Sequence, residues 1–225
     1  VHTGDTIGSV FGDDSTLLVD GVNNKIVGAV DTASLTVSST NVAIGNSAGE
    51  TSQAASAVAV GNLAGYSSQG ANAVAVGNGA GRTTQGYGAT AIGGTAGKTS
   101  QGEQAIAVGN SAGYDGQGAN SIAIGTLAGY DGQGANAIAL GFEAGRTNQA
   151  ANSIVLNATG AAVENTTASS LVITPIRSAV GTTMLMYDAG TGEVTHTASP
   201  AITGDFTGSV FGDDSTLLVD GVNNT

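Results

Sequence analysis

Cysteine and tryptophan are absent from these 225 residues, and lysine plus arginine number only 5. Without cysteine there is no disulfide framework and no thiolate metal site, and the redox compartment stays open. Seventeen acidic residues against those five bases give a formal net charge of −12. That sign argues against nucleic acid, whose phosphates require a basic footprint, and equally against an anionic membrane surface. No apolar run approaches the roughly 18 residues that span a bilayer, so no membrane insertion is expected. Catalytic vocabulary is thin as well. The two histidines, His2 and His196, lie beside no serine-bearing elbow, and His196 alternates within a predicted hairpin strand. None of the Gly-x-Gly strings opens a helix after a strand, so none reads as a nucleotide loop. An enzyme is not expected. A glycan hydrolase fits no better, because Asp115 and Asp131 fall on predicted turns without a defined acid pair.

Charged residues make up 10% and aromatics 4% of the chain, against about 25% charged in an ordinary domain, so the surface is built from Ser, Thr, Asn, Gln and Gly. The 37 glycines favour disorder, but 40% apolar residues in regular alternation oppose it. Repetition is the stronger signal. The string "GSVFGDDSTLLVDGVNN" at residues 8–24 returns at 208–224. Between the two copies the chain divides into lines of sixteen: NVAIGNSAGETSQAAS, AVAVGNLAGYSSQGAN, AVAVGNGAGRTTQGYG, ATAIGGTAGKTSQGEQ, AIAVGNSAGYDGQGAN, SIAIGTLAGYDGQGAN and AIALGFEAGRTNQAAN. An eighth line, SIVLNATG, begins and breaks off.

Four columns stand out through the seven full lines: the glycine from Gly45 to Gly141, the pair Ala48-Gly49 to Ala144-Gly145, and the glutamine from Gln53 to Gln149. Glycine at a fixed offset marks backbone that turns or closely approaches a neighbour. With short β-branched runs between the glycines, the period predicts an all-β chain, a parallel β-solenoid or β-roll of 16-residue coils. Alternation along Ala105-Ile106-Ala107-Val108 puts Ile106 and Val108 on one face and both alanines on the other. Neither face is polar, which implies burial on both sides. The β-branched face is expected to fill the coil's interior, and the flat Ala face to pack against other copies, most simply as an intertwined homotrimeric fibre.

The glutamine column reads as an amide ladder along the axis, in preference to a glycan-binding groove. The position after Ala-Gly varies (Glu50, Tyr66, Arg82, Lys98, Tyr114, Tyr130, Arg146) and marks a solvated outer turn. Tyr66, Tyr114 and Tyr130 are the candidate surface-binding residues there, suited to stacking on host surface glycans; packing on the neighbouring coil is the alternative. Asp13, Asp14 and Asp20, copied as Asp213, Asp214 and Asp220, are the candidate metal ligands. Gathered around a threefold axis they would suit Ca²⁺, but Asp and Ser also serve as ordinary turn residues, and that reading is preferred. No other cofactor is expected.

Residues 1–40 read as a β joint segment, 41–160 as the solenoid, 161–200 as a β cap with a hairpin on either side of "DAGTG", and 201–225 as the start of a next tandem module. The chain opens at Val1, shows no secretory leader and stops inside a repeated segment, so it reads as an excerpt of a longer one.

"NVAIGNSAG" and "NSIAIGTLAG" resemble the Asn-Ser-x-Ala-Ile-Gly repeats of trimeric autotransporter adhesin heads, which implies a trimeric parallel β-roll over residues 41–156. The period departs from that family's coil of about fourteen residues. "GSVFGDDSTLLVDGVNNKIVG" is similar to tail-fibre-like structural proteins of marine cyanobacterial phages, and "LVITPIRSAVGTTMLMYDAGTGEVTH" to a Pro-Ile-Arg plus hairpin segment of viral fibres. The resemblance implies a rigid spacer module of a virion appendage, extracellular, whose main partner is itself. The alternatives are an adhesin module whose outer turns grip glycans, or a bacterial surface adhesin.

Overall fold

The computed structural model describes residues 10–11, 17–19, 40–176, 184–188, 190–197, 209–211 and 217–220. They are all β, and no helix occurs among them. Two compact units divide the chain, Val1–Pro175 and Ile176–Thr225.

From residue 42 the first unit winds as a parallel β-solenoid. Each regular coil spends sixteen residues and sends one short strand to each of two parallel sheets. The front sheet has nine strands: Val42–Ile44, Val58–Val60, Val74–Val76, Thr90–Ile92, Ile106–Val108, Ile122–Ile124, Ile138–Leu140, Ile154–Asn157 and Leu171–Thr174. The back sheet has four, Thr51–Gln53, Ser67–Gln69, Thr83–Gln85 and Thr99–Gln101, and thins to single bridges through Asp115, Asp131 and Thr147. Register is strict: Ala59 lies beside Ala75, Ala91 beside Ala107 and Ala107 beside Ala123. Backbone groups at the turns bond between coils too, as in Gly61 N to Ile44 O at 2.7 Å and Leu63 N to Asn46 O at 2.9 Å.

The interior overturns one expectation. Ala57, Ala59, Ala73, Ala75, Ala105 and Ala107 are fully buried, while Ile92 and Ile124 are 41% and 42% exposed. The alanines face inward and the β-branched residues outward, the reverse of the sequence-based assignment. The reason is depth. A Cβ placed on Gly113, across the coil, would stand 3.3 Å from the Ala107 Cβ, and Gln117 Nε2 reaches the Ile106 carbonyl at 2.8 Å. In the regular coils an interior that thin holds a methyl group opposite a glutamine amide; in the eighth coil, where the shorter Asn165 replaces the glutamine, the fully buried Val155 stands in the alanine column.

Two of the glycine columns follow from the same closeness. Gly109 has φ +130°, and an added Cβ would meet the carbonyl carbon and oxygen of Gly125, one coil on, at 2.7 Å. Gly113 sits under the Gln117 amide, whose Oε1 would lie 2.6 Å from an added Cβ. The glycine of Ala-Gly and the glutamine four residues later are therefore one structural requirement.

The stack runs past the expected boundary at 160. Ile154–Asn157 pairs in parallel with Leu171–Thr174, so this strand, assigned to the cap from sequence, is the last strand of the front sheet. The pairing of Ile154 with Leu171 makes this eighth coil one residue longer than the rest. Asn165 takes the glutamine's place, its Nδ2 directed to the carbonyls of Ile154 and Ser170, both at 3.4 Å.

In the second unit, Met184–Tyr187 and Val194–Thr197 form the expected antiparallel hairpin, with His196 opposite Leu185. Asp188 Oδ1 accepts hydrogen bonds from the backbone N–H of Gly190 at 2.7 Å and Thr191 at 3.2 Å, which hold its carboxyl below the usual range. The duplicated segment forms the same hairpin twice. Val10 pairs with Val19 and Phe11 with Leu17, and the copies Val210, Val219, Phe211 and Leu217 repeat this pairing with the same register shift.

Candidate functional site

Three surfaces of the first unit bear on function: the buried amide column, the outer turn column and the outward face of the front sheet.

Gln69, Gln85, Gln101, Gln117, Gln133 and Gln149 are all 1–2% exposed. Each sends Nε2 to a front-strand carbonyl at 2.8–2.9 Å. Successive amides also join Nε2 to Oε1 at 3.0–3.2 Å, from Gln69 through Gln149. The glutamines form the expected ladder, and their burial removes them from any groove. At one end Gln69 Oε1 has no partner, and the Gln53 amide bonds the carbonyls of Val42 and Ala57. At the other end the Asn165 Oδ1 is taken by Thr167 N and Ser170 Oγ.

The outer turn column brings the candidate tyrosines into two groups. Tyr114 and Tyr130 stack with ring centroids 4.9 Å apart and planes 20° from parallel. Lys98 Nζ lies 4.5 Å from the Tyr114 centroid and bonds its hydroxyl, while the Arg146 guanidinium sits 5.9 Å from Tyr130. Tyr66 is apart from that pair and carries Arg82 at 5.9 Å. Sugars stack on ring faces. Each face of Tyr114 already has a neighbour, and Tyr130 lies between Tyr114 and Arg146. The arrangement is that of turns packing on neighbouring coils. Tyr87, which the sequence does not single out, is 50% exposed and its hydroxyl accepts a hydrogen bond from Asn72. Its column holds no other aromatic, so periodicity offers no signal for it.

The outward face of the front sheet presents the first and third residue of every strand. All are apolar except Thr90. Nine strands at about 4.8 Å make a stripe of about 38 Å. Side chains exposing roughly 50 Å² each would total about 900 Å², beyond the few hundred Å² of apolar patch that a monomer ordinarily shows. The stripe ends in an open cleft lined by Leu140, Leu156, Ile173 and Pro175.

Asp13, Asp14 and Asp20 lie outside the described residues, as do Asp213 and Asp214; Asp220 closes the strand Leu217–Asp220. Among the described residues no group of three or more His, Asp or Glu is gathered to hold a metal ion. No helix among them is long and apolar enough to cross a membrane.

No protein family, curated protein or solved structure matches this chain.

Proposed function

We propose that this chain is a structural module of a long homotrimeric fibre, a tail fibre or similar virion appendage, in which it acts as a rigid spacer for host attachment. The single observation that carries this reading is the unpartnered stripe, apolar but for Thr90, that runs along a strictly registered stack of coils. Its roughly 900 Å² exceeds the few hundred Å² of apolar patch that a monomer ordinarily leaves to water. Cyclic closure covers such a stripe without leaving an open face, and three copies is the closure that the resemblance to trimeric adhesin heads implies. Function here is mechanical. Inter-coil hydrogen bonds in both sheets, at the turns and along the amide ladder make bending or shearing between coils break many bonds at once. The hairpin written at both ends of the sequence supports a tandem arrangement in which equivalent joints connect equivalent modules.

Multi-angle light scattering tests the assembly: a mass of three chains is expected at micromolar concentration, and a stable monomer mass would remove the proposal. Electron micrographs of the native appendage should show a rod with threefold section and an axial repeat corresponding to 200 residues.

A further inference from the structure

A stripe made of nearly identical rungs raises a problem of register. All coils but one offer an outward pair of aliphatic side chains drawn from Val, Ile and Leu, so a copy displaced axially by one coil would meet a similar surface. Repetition specifies composition, and register is weakly specified wherever successive positions look alike. One rung differs. Thr90 opens the strand Thr90–Ile92, with Val74 before it and Ile106 after it in the same column. Its backbone is committed to the sheet, N–H to Ala105 O at 2.9 Å and carbonyl to Gln101 Nε2 at 2.9 Å. Its hydroxyl bonds to none of the described residues. A hydroxyl left without a partner in an apolar interface is costly, whereas one that meets its own kind is satisfied.

Resting on the trimeric reading above, we infer that Thr90 is the register pin of the assembly: the three Thr90 hydroxyls meet on one level, directly or through a shared water, and fix the copies level with one another. Any slip sets each hydroxyl against the aliphatic rung of a neighbouring copy. A lone polar residue in an otherwise apolar seam serves the same purpose in coiled coils, where it specifies register at a cost in stability. The partner is a second and third copy of this chain, aligned coil for coil.

The chain contains no cysteine, so introduced thiols report alone. Chains carrying Ile106→Cys and chains carrying Ile122→Cys, one coil apart in the Thr90 column, are assembled together, oxidised and mapped by mass spectrometry. Same-level disulfides, 106 to 106 and 122 to 122, should dominate. With Thr90→Val added, the mass of three chains should persist while the one-coil-offset disulfide, 106 to 122, rises several-fold; Thr90→Ser should retain the parent pattern. Unchanged same-level dominance in Thr90→Val, with the trimer intact, overturns the inference and leaves the assembly standing. A monomer mass in the parent chain overturns the assembly itself, and the inference with it.

Discussion

The front and back sheets are cut from the same coils, yet they face opposite surroundings. The back sheet turns Ser, Thr and Asp outward, and water is a sufficient partner for them. The front sheet turns Val, Ile and Leu outward, and nothing in the described chain covers them. Inside, the two sheets share one space divided unevenly, with alanine methyls from the front and glutamine amides from the back. The lesson is that this chain keeps its large apolar side chains for a surface. A regular coil, lined inside mostly by alanine methyls and glutamine amides, derives its own cohesion from hydrogen bonds and close backbone contact. On the proposed packing, the usual hydrophobic term, about 25 cal/mol per Å² removed from water, falls to contacts between molecules.

The sharpest way to break that comparison is to charge one face at a time. On the proposed packing, Ile124→Glu sets like charges at one level of an apolar seam, and the mass of three chains should fall to that of one. Ile124 already points outward, so far-ultraviolet circular dichroism should keep its β signature. Thr99→Glu, on the back sheet, should leave the mass unchanged. Equal behaviour of the two variants would end the distinction between the faces.

Next come the contacts that hold one coil on another. Gly109→Ala sets a Cβ 2.7 Å from the Gly125 carbonyl at a φ of +130°. The expected loss is about 3–5 kcal/mol, from strain and overpacking together, read as a fall in the urea midpoint. Gly79→Ala is the control. With φ +63° and no atom nearer than Thr95 Cγ2 at 3.5 Å, it should lose only about 1 kcal/mol. Gln117→Leu probes the interior instead. It keeps the volume but removes the side-chain donor to the Ile106 carbonyl and interrupts the bonds from Gln101 and to Gln133. A loss of about 2–4 kcal/mol is expected, larger than that of a surface Gln change such as Gln104→Leu.

Much of this was legible from the repeat itself. The period, the parallel stacking and the amide ladder follow from columns that do not vary, because a coil stacked on its copy imposes the same contacts on each. Which face lies inside did not follow from alternation, since alanine and the β-branched residues are both apolar. A signal was present in a fifth constant column, Ala43, Ala59, Ala75, Ala91, Ala107, Ala123 and Ala139, beside columns where Val, Ile, Leu and Thr exchange. A confined interior demands one side-chain volume, while an outward stripe tolerates several. The eighth coil was illegible for a different reason. Asn165 does the glutamine's work from a shorter side chain in a 17-residue coil, and a departure of one residue is enough to silence the beat.

The smallest expected effect belongs to the outer turns, where the comparison between faces is least pronounced. Tyr114 stacks on Tyr130 and receives Lys98, but the group is half-buried and solvated. Stacked aromatic pairs contribute about 0.5–1.5 kcal/mol and exposed cation–π contacts about 0.5–1 kcal/mol, and the two are not independent when one ring serves both. Tyr114→Ala should therefore lose about 1 kcal/mol. Tyr66→Ala, whose ring has the Arg82 guanidinium at 5.9 Å and stacks on no other ring among the described residues, should lose less. Neither should change the assembly's mass, because the outer turns lie away from the front stripe. Glycan-array binding by the chain that vanished in Tyr114→Ala would assign these rings to recognition, against the packing role that their covered faces support. Small losses of stability in that order, with no ligand bound, would leave the outer column as what its contacts describe: side chains that splint one turn to the next.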